Sequence, residues 1–332
     1  MSPGEQIDRL RGRAVVSAYR AGGLLARFTP PFVGHGITTA AGVASSLAAA
    51  ERRAVVERNL QRIYGGDLTG PRLATKVAQT FESYGRYYYD SFRLPSMTAH
   101  AVDRGFTAEG LEHIEAAMDG PVGPVLALPH LGGWEWAAAW ITKVRGWELA
   151  AVVEALEPPE LFEWFLEFRR SLGMNIIPLG PDAAAEVAAA AAAKQVVCLL
   201  SDRDITGTGV PVTFFGEPTT LPAGPAIMAL RGGCPILPTA VYFRGDGVHG
   251  VVRPPIDTTR QATRLRDDVG RITQALADEL ELLIRRAPEQ WHLMQPNWPS
   301  DFEALGRERS VVDRNGAAGS DGSAGSNGSA PT

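Results

Sequence analysis

The chain has 332 residues, 45% of them hydrophobic, and a net charge of -5, enough for a sizeable core in one large domain or two modest ones. Its two cysteines, Cys198 and Cys234, sit in apolar runs and read as buried free thiols of a reducing compartment, which excludes a disulfide framework. The polar start MSPGEQIDRLRGR is no secretory signal, and the best candidate for a membrane span, Ala14 to Val33, is broken by Arg20, Arg27, Gly22, Gly23 and Pro30-Pro31, so a soluble or peripheral protein is expected.

Charge is unevenly spread. Residues 1–93 carry 13 basic against 7 acidic side chains, so the acidic balance lies entirely in the remainder. A basic N-terminal third suits an anionic surface, although a solvated helix face would look the same by charge alone. Apolar positions recur there at helical spacing, through Val15, Tyr19, Leu24 and Leu25 and again through Val55, Val56, Leu60 and Ile63. The aromatic segment Phe81 to Pro95, with Arg86 and Arg93, fits core packing or a lipid headgroup interface. Residues 1–93 are therefore expected to form a helical, basic, membrane-associating region.

Residues 94–305 read as an α/β domain. PVLALP (124–129), LAAVVE (149–154), MNIIPL (174–179), VVCLLSD (196–202) and CPILPTAVYF (234–243) are short apolar strands. Helical stretches separate them: WEWAAAWITKV, PPELFEWFLEFRRSLG, the Ala-rich run 183–194, and a short helix ending near Gly232. A long helix from about Arg264 to Arg286 follows a turn at Gly245-Asp246-Gly247. This alternation predicts a largely parallel central sheet flanked by helices on both faces. Ile205–Pro222 is expected to be a long loop, and 306–332, ending in a Gly/Ser-rich run, a disordered tail.

The chemistry concentrates in LALPHLGGWEWAA. His130 follows a buried strand directly, where open α/β sheets place ligands, so it is the candidate general base. Glu135, in the first turn of the next helix, can orient and support the imidazole. Gly132 and Gly133 leave backbone N–H groups open at a helix N-terminus, suited to an oxyanion. A second stretch, LLSDRDITGTG, ends a strand with Asp202, Arg203 and Asp204, and one of these carboxylates can face His130 across neighbouring strand ends. Asp202 has no structural task visible from its place in the sequence. Arg169, Arg170 and Arg231 close helices and can serve either as dipole partners or as ligands of the donor; Thr208 is a further substrate-binding candidate. With one histidine near these acids, a catalytic metal site is not expected. A nucleotide enzyme is not expected either, since no phosphate-binding glycine motif follows a strand, and no nucleic-acid partner is expected.

In this order, LPHLGGWEWAAAW, FRRSLGMNIIPL, LLSDRDITGTGVPVTFFGEPTTLPAGPAIMALRGGCPILP and APEQWHLMQPNW resemble the bacterial lauroyl/myristoyl lipid A acyltransferase family, from about Arg58 to Pro299, with the phosphatidylinositol mannoside acyltransferases as the most similar branch. The resemblance implies a glycerolipid-acyltransferase-like fold and an H-x4-[DE] motif on His130 and Glu135. It further implies a conserved-type arginine at Arg169 (R-x-x-x-G). In the mannoside branch the acidic residue before Arg-Asp works with the histidine; the branch carries Glu there, this chain the shorter Asp202. Either Asp202 or Glu135 can thus partner His130. The activity implied is transfer of a long-chain acyl group from acyl-CoA, a co-substrate with no further cofactor, to a hydroxyl of a membrane glycolipid, a mannose of phosphatidylinositol mannoside, at the cytoplasmic face of the inner membrane. VPVTFFG (210–216) is the candidate lining of the acyl groove. Lipid A acylation, with acyl-carrier protein as a possible donor, is the alternative within the class. A metal hydrolase and a non-catalytic acyl-lipid carrier are the alternatives outside it.

Overall fold

The computed structural model describes residues 16–307, residue 18 excepted. The basic residues Arg9, Arg11 and Arg13, and all of the expected tail but its first two residues (308–332), lie outside the described residues.

A seven-stranded sheet forms the centre, in the order β1-β9-β8-β2-β5-β3-β4: β1 Phe106–Glu109, β2 Val125–Leu128, β3 Leu149–Val153, β4 Met174–Pro178, β5 Val196–Leu200, β8 Ile236–Arg244 and β9 Gly247–Val252. Pairing is parallel throughout except between β8 and β9, an antiparallel hairpin closed at Gly245-Asp246. Parallel strands are covered on both faces, which is why β2 is wholly buried and reads as a continuous apolar run. Leu126 and Leu128 face the helices Trp134–Lys143 and Pro159–Ser171, while Val125 and Ala127 face Ala183–Ala192, Gly224–Gly232 and Leu265–Arg285. Cys198 and Cys234 are free and buried, and burial lifts the Cys198 thiol to about 12.

Two expectations are corrected. Residues 205–222 are not simply a loop: Val210–Phe214 (β6) and Glu217–Leu221 (β7) form an antiparallel hairpin turning at Phe215-Gly216. Phe214 and Phe215 pack with Trp291 and Trp298, so the inward side chains of VPVTFFG join the core and the segment does not line the cavity at His130. A strand (β1) and a helix (Leu111–Met118) occupy a stretch to which the sequence assigned no element.

Helices build the N-terminal region: residues 19–28, then Pro31–Ala48, Ala50–Ile63 and Gly70–Arg93. None of the described helices is long and apolar enough to cross a membrane. Helix Pro31–Ala48 lies tightly on Gly70–Arg93 because Gly42 abuts backbone, where a Cβ would come within 2.7 Å of Glu82 Cα. Residue 93 does not mark a gap in packing. Arg58 and Arg62 both bond the buried Asp301 carboxylate, and Asn59 donates to the Leu293 carbonyl, which ties the helices to the C-terminal segment.

Candidate active site

Leu128 of β2 and Leu200 of β5 are paired in register. His130 and Asp202 each lie two residues beyond that pair, so both leave the sheet at the same edge. The chain leaves β2 and β5 towards opposite faces of the sheet, which opens a crevice at the carboxyl ends.

The two side chains meet there. His130 Nδ1 lies 2.7 Å from Asp202 Oδ1, and the His130 backbone N–H donates to Oδ2 at 2.9 Å. Trp291 Nε1–H donates to the same Oδ2 at 2.7 Å, and Asn297 Nδ2 to the Asp202 carbonyl at 3.1 Å. Asp202 is fully buried. Burial pushes its carboxyl up, but the facing imidazole and the donors from His130 and Trp291 outweigh that and hold it below the usual carboxylate range. A carboxylate on Nδ1 fixes the proton there and leaves Nε2 as the basic nitrogen.

Glu135 has other partners. Its Oε1 accepts from the Tyr87 hydroxyl at 2.5 Å and from Arg169 at 3.1 Å, while its Oε2 is buried without a partner. Burial raises the Glu135 carboxyl above its usual range. The guanidinium of Arg169 also stands over the Trp134 and Phe165 rings. Of the two acids left open by the sequence, the geometry therefore gives Asp202 to His130 and Glu135 to Arg169. Arg170, by contrast, is exposed. Arg169→Ala strands a buried carboxylate and should lower stability by about 3–5 kcal/mol. Arg170→Ala should stay within about 0.5 kcal/mol. Urea unfolding of both variants checks this; equal effects would mean that the Glu135–Arg169 pair does not hold.

The amides of Gly132 and Gly133 are already engaged, and the oxyanion role expected of them is corrected. Gly132 N–H donates to the Gln290 carbonyl and Gly133 N–H to that of Val241. The glycines serve close packing instead: at Gly132, with φ +58°, a Cβ would lie 1.8 Å from the Val241 oxygen. Arg169 is a donor on the wall of the cavity that His130 also lines, and its Nε is buried without a partner. Asp204 accepts the amides of Thr206, Gly207 and Gly209 and the Thr220 hydroxyl, so it shapes the loop. Thr208, bonded to Thr206, and the exposed Arg231 both lie on the cavity wall.

That cavity, about 890 Å³, is lined in part by His130. Tyr84, Tyr87, Tyr88, Arg169 and His292 give it a polar end. Its apolar wall comes from Val152, Leu179, Ala188, Val187, Leu199 and Met228. The alanines of helix Ala183–Ala192 make the room, because a methyl fills less space than any other apolar side chain.

Segment 288–298 carries what the sequence gave no role. Trp291 and Asn297 hold Asp202, and the His292 N–H donates to the His130 carbonyl at 2.7 Å. The His292 ring meets Ser83 Oγ at 2.8 Å. Burial, and then the charge of His130, depress it to about 3. With a folded value below the unfolded one of about 6.5, its contribution is complete above that pH and is lost as pH falls towards 3. Between about pH 6 and 4.5, wild-type stability should fall by roughly 1.4 kcal/mol per unit more steeply than that of His292→Gln. Denaturant titrations across this window would detect it, and parallel curves would refute the assignment.

The family model described as bacterial lipid A biosynthesis acyltransferase matches residues 5–300. The chain belongs to this family. It is an acyltransferase of lipid biosynthesis. Two proteins named phosphatidylinositol mannoside acyltransferase, from Mycobacterium tuberculosis strains CDC 1551 / Oshkosh and ATCC 25618 / H37Rv, are each 38% identical over 301 residues, covering 87% of this chain and 90% of the relative. One of the same name from Mycolicibacterium smegmatis is 36% identical over 307 residues, covering 90% and 96%. Within the H-x4-E spacing of His130 and Glu135, the acid supports Arg169 and not the histidine.

Proposed function

We propose that this acyltransferase moves a long-chain acyl group from acyl-CoA to a mannose hydroxyl of a phosphatidylinositol mannoside. The observation that carries the reading is the His130–Asp202 pair, with His130 on the wall of a largely apolar cavity. His130 Nε2 takes the acceptor hydroxyl proton, and the alkoxide attacks the thioester carbonyl. The new C–O bond forms, the C–S bond breaks, and the imidazolium returns its proton to the departing thiolate. Asp202 stabilises the imidazolium in between, and Arg169 faces the carbonyl oxygen as it gains negative charge. Arg231, Thr208 and Arg203 line the cavity rim and serve the donor's polar part. The names of the relatives support the acceptor class.

The enzyme works from the membrane surface, peripheral at the cytoplasmic face. Supporting this, Leu24, Leu25, Phe28, Phe32, Ile37 and Leu47 are exposed together on the N-terminal helices. The test is mass spectrometry of lipids formed by the purified protein from mixed acyl-CoAs and acyl-carrier thioesters, offered phosphatidylinositol mannosides and a lipid A precursor. Acylated mannoside from acyl-CoA is expected. Product on the lipid A precursor alone, or from the carrier thioester alone, would overturn the acceptor or the donor.

A further inference from the structure

A second cavity, of about 870 Å³, shares no lining residue with the one at His130. Four arginines converge on it from four separate elements. Arg27 comes from helical residues 19–28, Arg93 ends the helix Gly70–Arg93, Arg104 ends Ala99–Arg104, and Arg244 ends β8. One acid, Asp246, is on the wall, and it stands 4.0 Å from His35. Arg93 and Arg104 also sit where helix dipoles welcome a cation, which accounts for those two singly. It does not account for Arg27 and Arg244, nor for four guanidinium groups gathered in one cavity of a chain whose net charge is -5. Among the described residues none of the four is in an ion pair. Arg93 stands over the Tyr89 ring, but like charges brought together without ion-pair partners repel, and the arrangement suits an anion. Arginine forks match phosphate oxygens in particular.

The neighbourhood says where that anion comes from. Pro31, on the cavity wall, begins the helix Pro31–Ala48. Phe28 and Phe32 on either side of it are 85% and 78% exposed. Phe32, Val33, Ile37, Val43 and Leu47 then fall within an arc of about 140° at 100° per residue, and all are exposed. The opposite arc holds the buried Gly34, Gly42 and Ser46. The outward stripe thus has no partner among the described residues, and apolar rings flank the arginine cavity.

We infer that this cavity holds the phosphate of an anionic phospholipid headgroup while the flanking phenylalanines enter the same bilayer, making a docking site separate from the catalytic cavity. The inference rests on the membrane-surface reading proposed above. It assigns the anionic preference to a built site of Arg27, Arg93, Arg104 and Arg244, where a diffuse basic N-terminus would otherwise carry it. A diffuse attraction depends on total charge and is screened by salt; a pocket depends on which arginines are present.

The test uses the full chain on phosphatidylcholine vesicles with and without phosphatidylglycerol, in flotation or sedimentation at physiological salt. R104S/R244S should bind the phosphatidylglycerol vesicles about thirtyfold more weakly than wild type, at roughly fivefold per basic residue. R264S/R266S, the same change of charge at the head of helix Leu265–Arg285, should stay within about twofold, since both arginines are outside the cavity. Turnover of both variants on a detergent-dispersed acceptor should equal that of wild type, because neither pair touches the catalytic cavity. Equal losses in the two double variants would overturn the pocket and leave the membrane reading intact. Wild-type protein that binds neither vesicle would overturn the membrane reading itself.

Discussion

Replacing His130 by alanine should abolish acyl transfer while leaving a folded protein. General base catalysis is typically worth about 10²–10⁴-fold, and within the catalytic cavity His130 is the side chain with a carboxylate on one ring nitrogen and the cavity on the other side. His292 cannot stand in for it: the ring is buried against Ser83, and its depressed proton affinity, about 3, makes it a weak base. Folding should survive because two of the contacts at this position are made by backbone. The residue's amide still donates to Asp202 and its carbonyl still accepts from His292. What is lost is the partner of Asp202 Oδ1, a cost of about 1–3 kcal/mol for an orphaned acceptor, reduced if water enters the cavity. Single-turnover product analysis beside a thermal melt decides the matter. More than a tenth of the wild-type rate in a folded variant would remove His130 from the role of base.

Much of the α/β frame was legible from the chain. The strands around β2 to β5 and β8 are short, largely apolar and separated by helical stretches, which leaves a covered parallel sheet as the natural solution. The hairpin of β6 and β7 was not, because Gly207, Gly209, Gly216 and three prolines in Ile205–Pro222 give the signature of a loop. Its fold depends on Asp204 collecting three amides and the Thr220 hydroxyl, a pattern with no periodicity to betray it.

At the site, His130 stood out because one strand ends just before it. Its choice of acid did not. Glu135 is near in sequence and Asp202 is 72 residues away, yet the in-register pairing of β2 with β5 puts the distant residue alongside. Trp291, His292 and Asn297 were visible only as members of a family motif, since their roles come from a segment folded back across the strand ends. The glycine pair misled for a related reason. Open amides at a helix start are inferred from sequence by default, and the carbonyls of Gln290 and Val241 that occupy them arrive from far along the chain.

Asp202→Asn should cut kcat by about 10²–10⁴-fold with a smaller effect on KM, and it should also lower stability. The sequence suggested that Asp202 had no structural task, but the structure gives it three donors: the His130 ring, the His130 amide and the Trp291 indole. An asparagine has one acceptor oxygen. Set on the Oδ2 side, that oxygen can still serve the amide and the indole, and the NH₂ then faces His130 Nδ1. Two N–H groups cannot share that 2.7 Å contact, so the imidazole must move its proton to Nε2, where it no longer accepts one from the acceptor hydroxyl. Set the other way, the amide group faces two donors at once, and the buried clash costs about 1–3 kcal/mol. Either rotamer also removes the negative charge that stabilises the imidazolium. Glu135→Gln should behave differently, with loss traced to its contacts with Arg169 and Tyr87 and not to the basicity of His130. Double-mutant cycles separate the two: Glu135→Gln should be non-additive with Arg169→Ala, and Asp202→Asn non-additive with His130→Ala. Full activity in Asp202→Asn, with a folded but inactive Glu135→Gln, would hand the partnership of His130 back to Glu135.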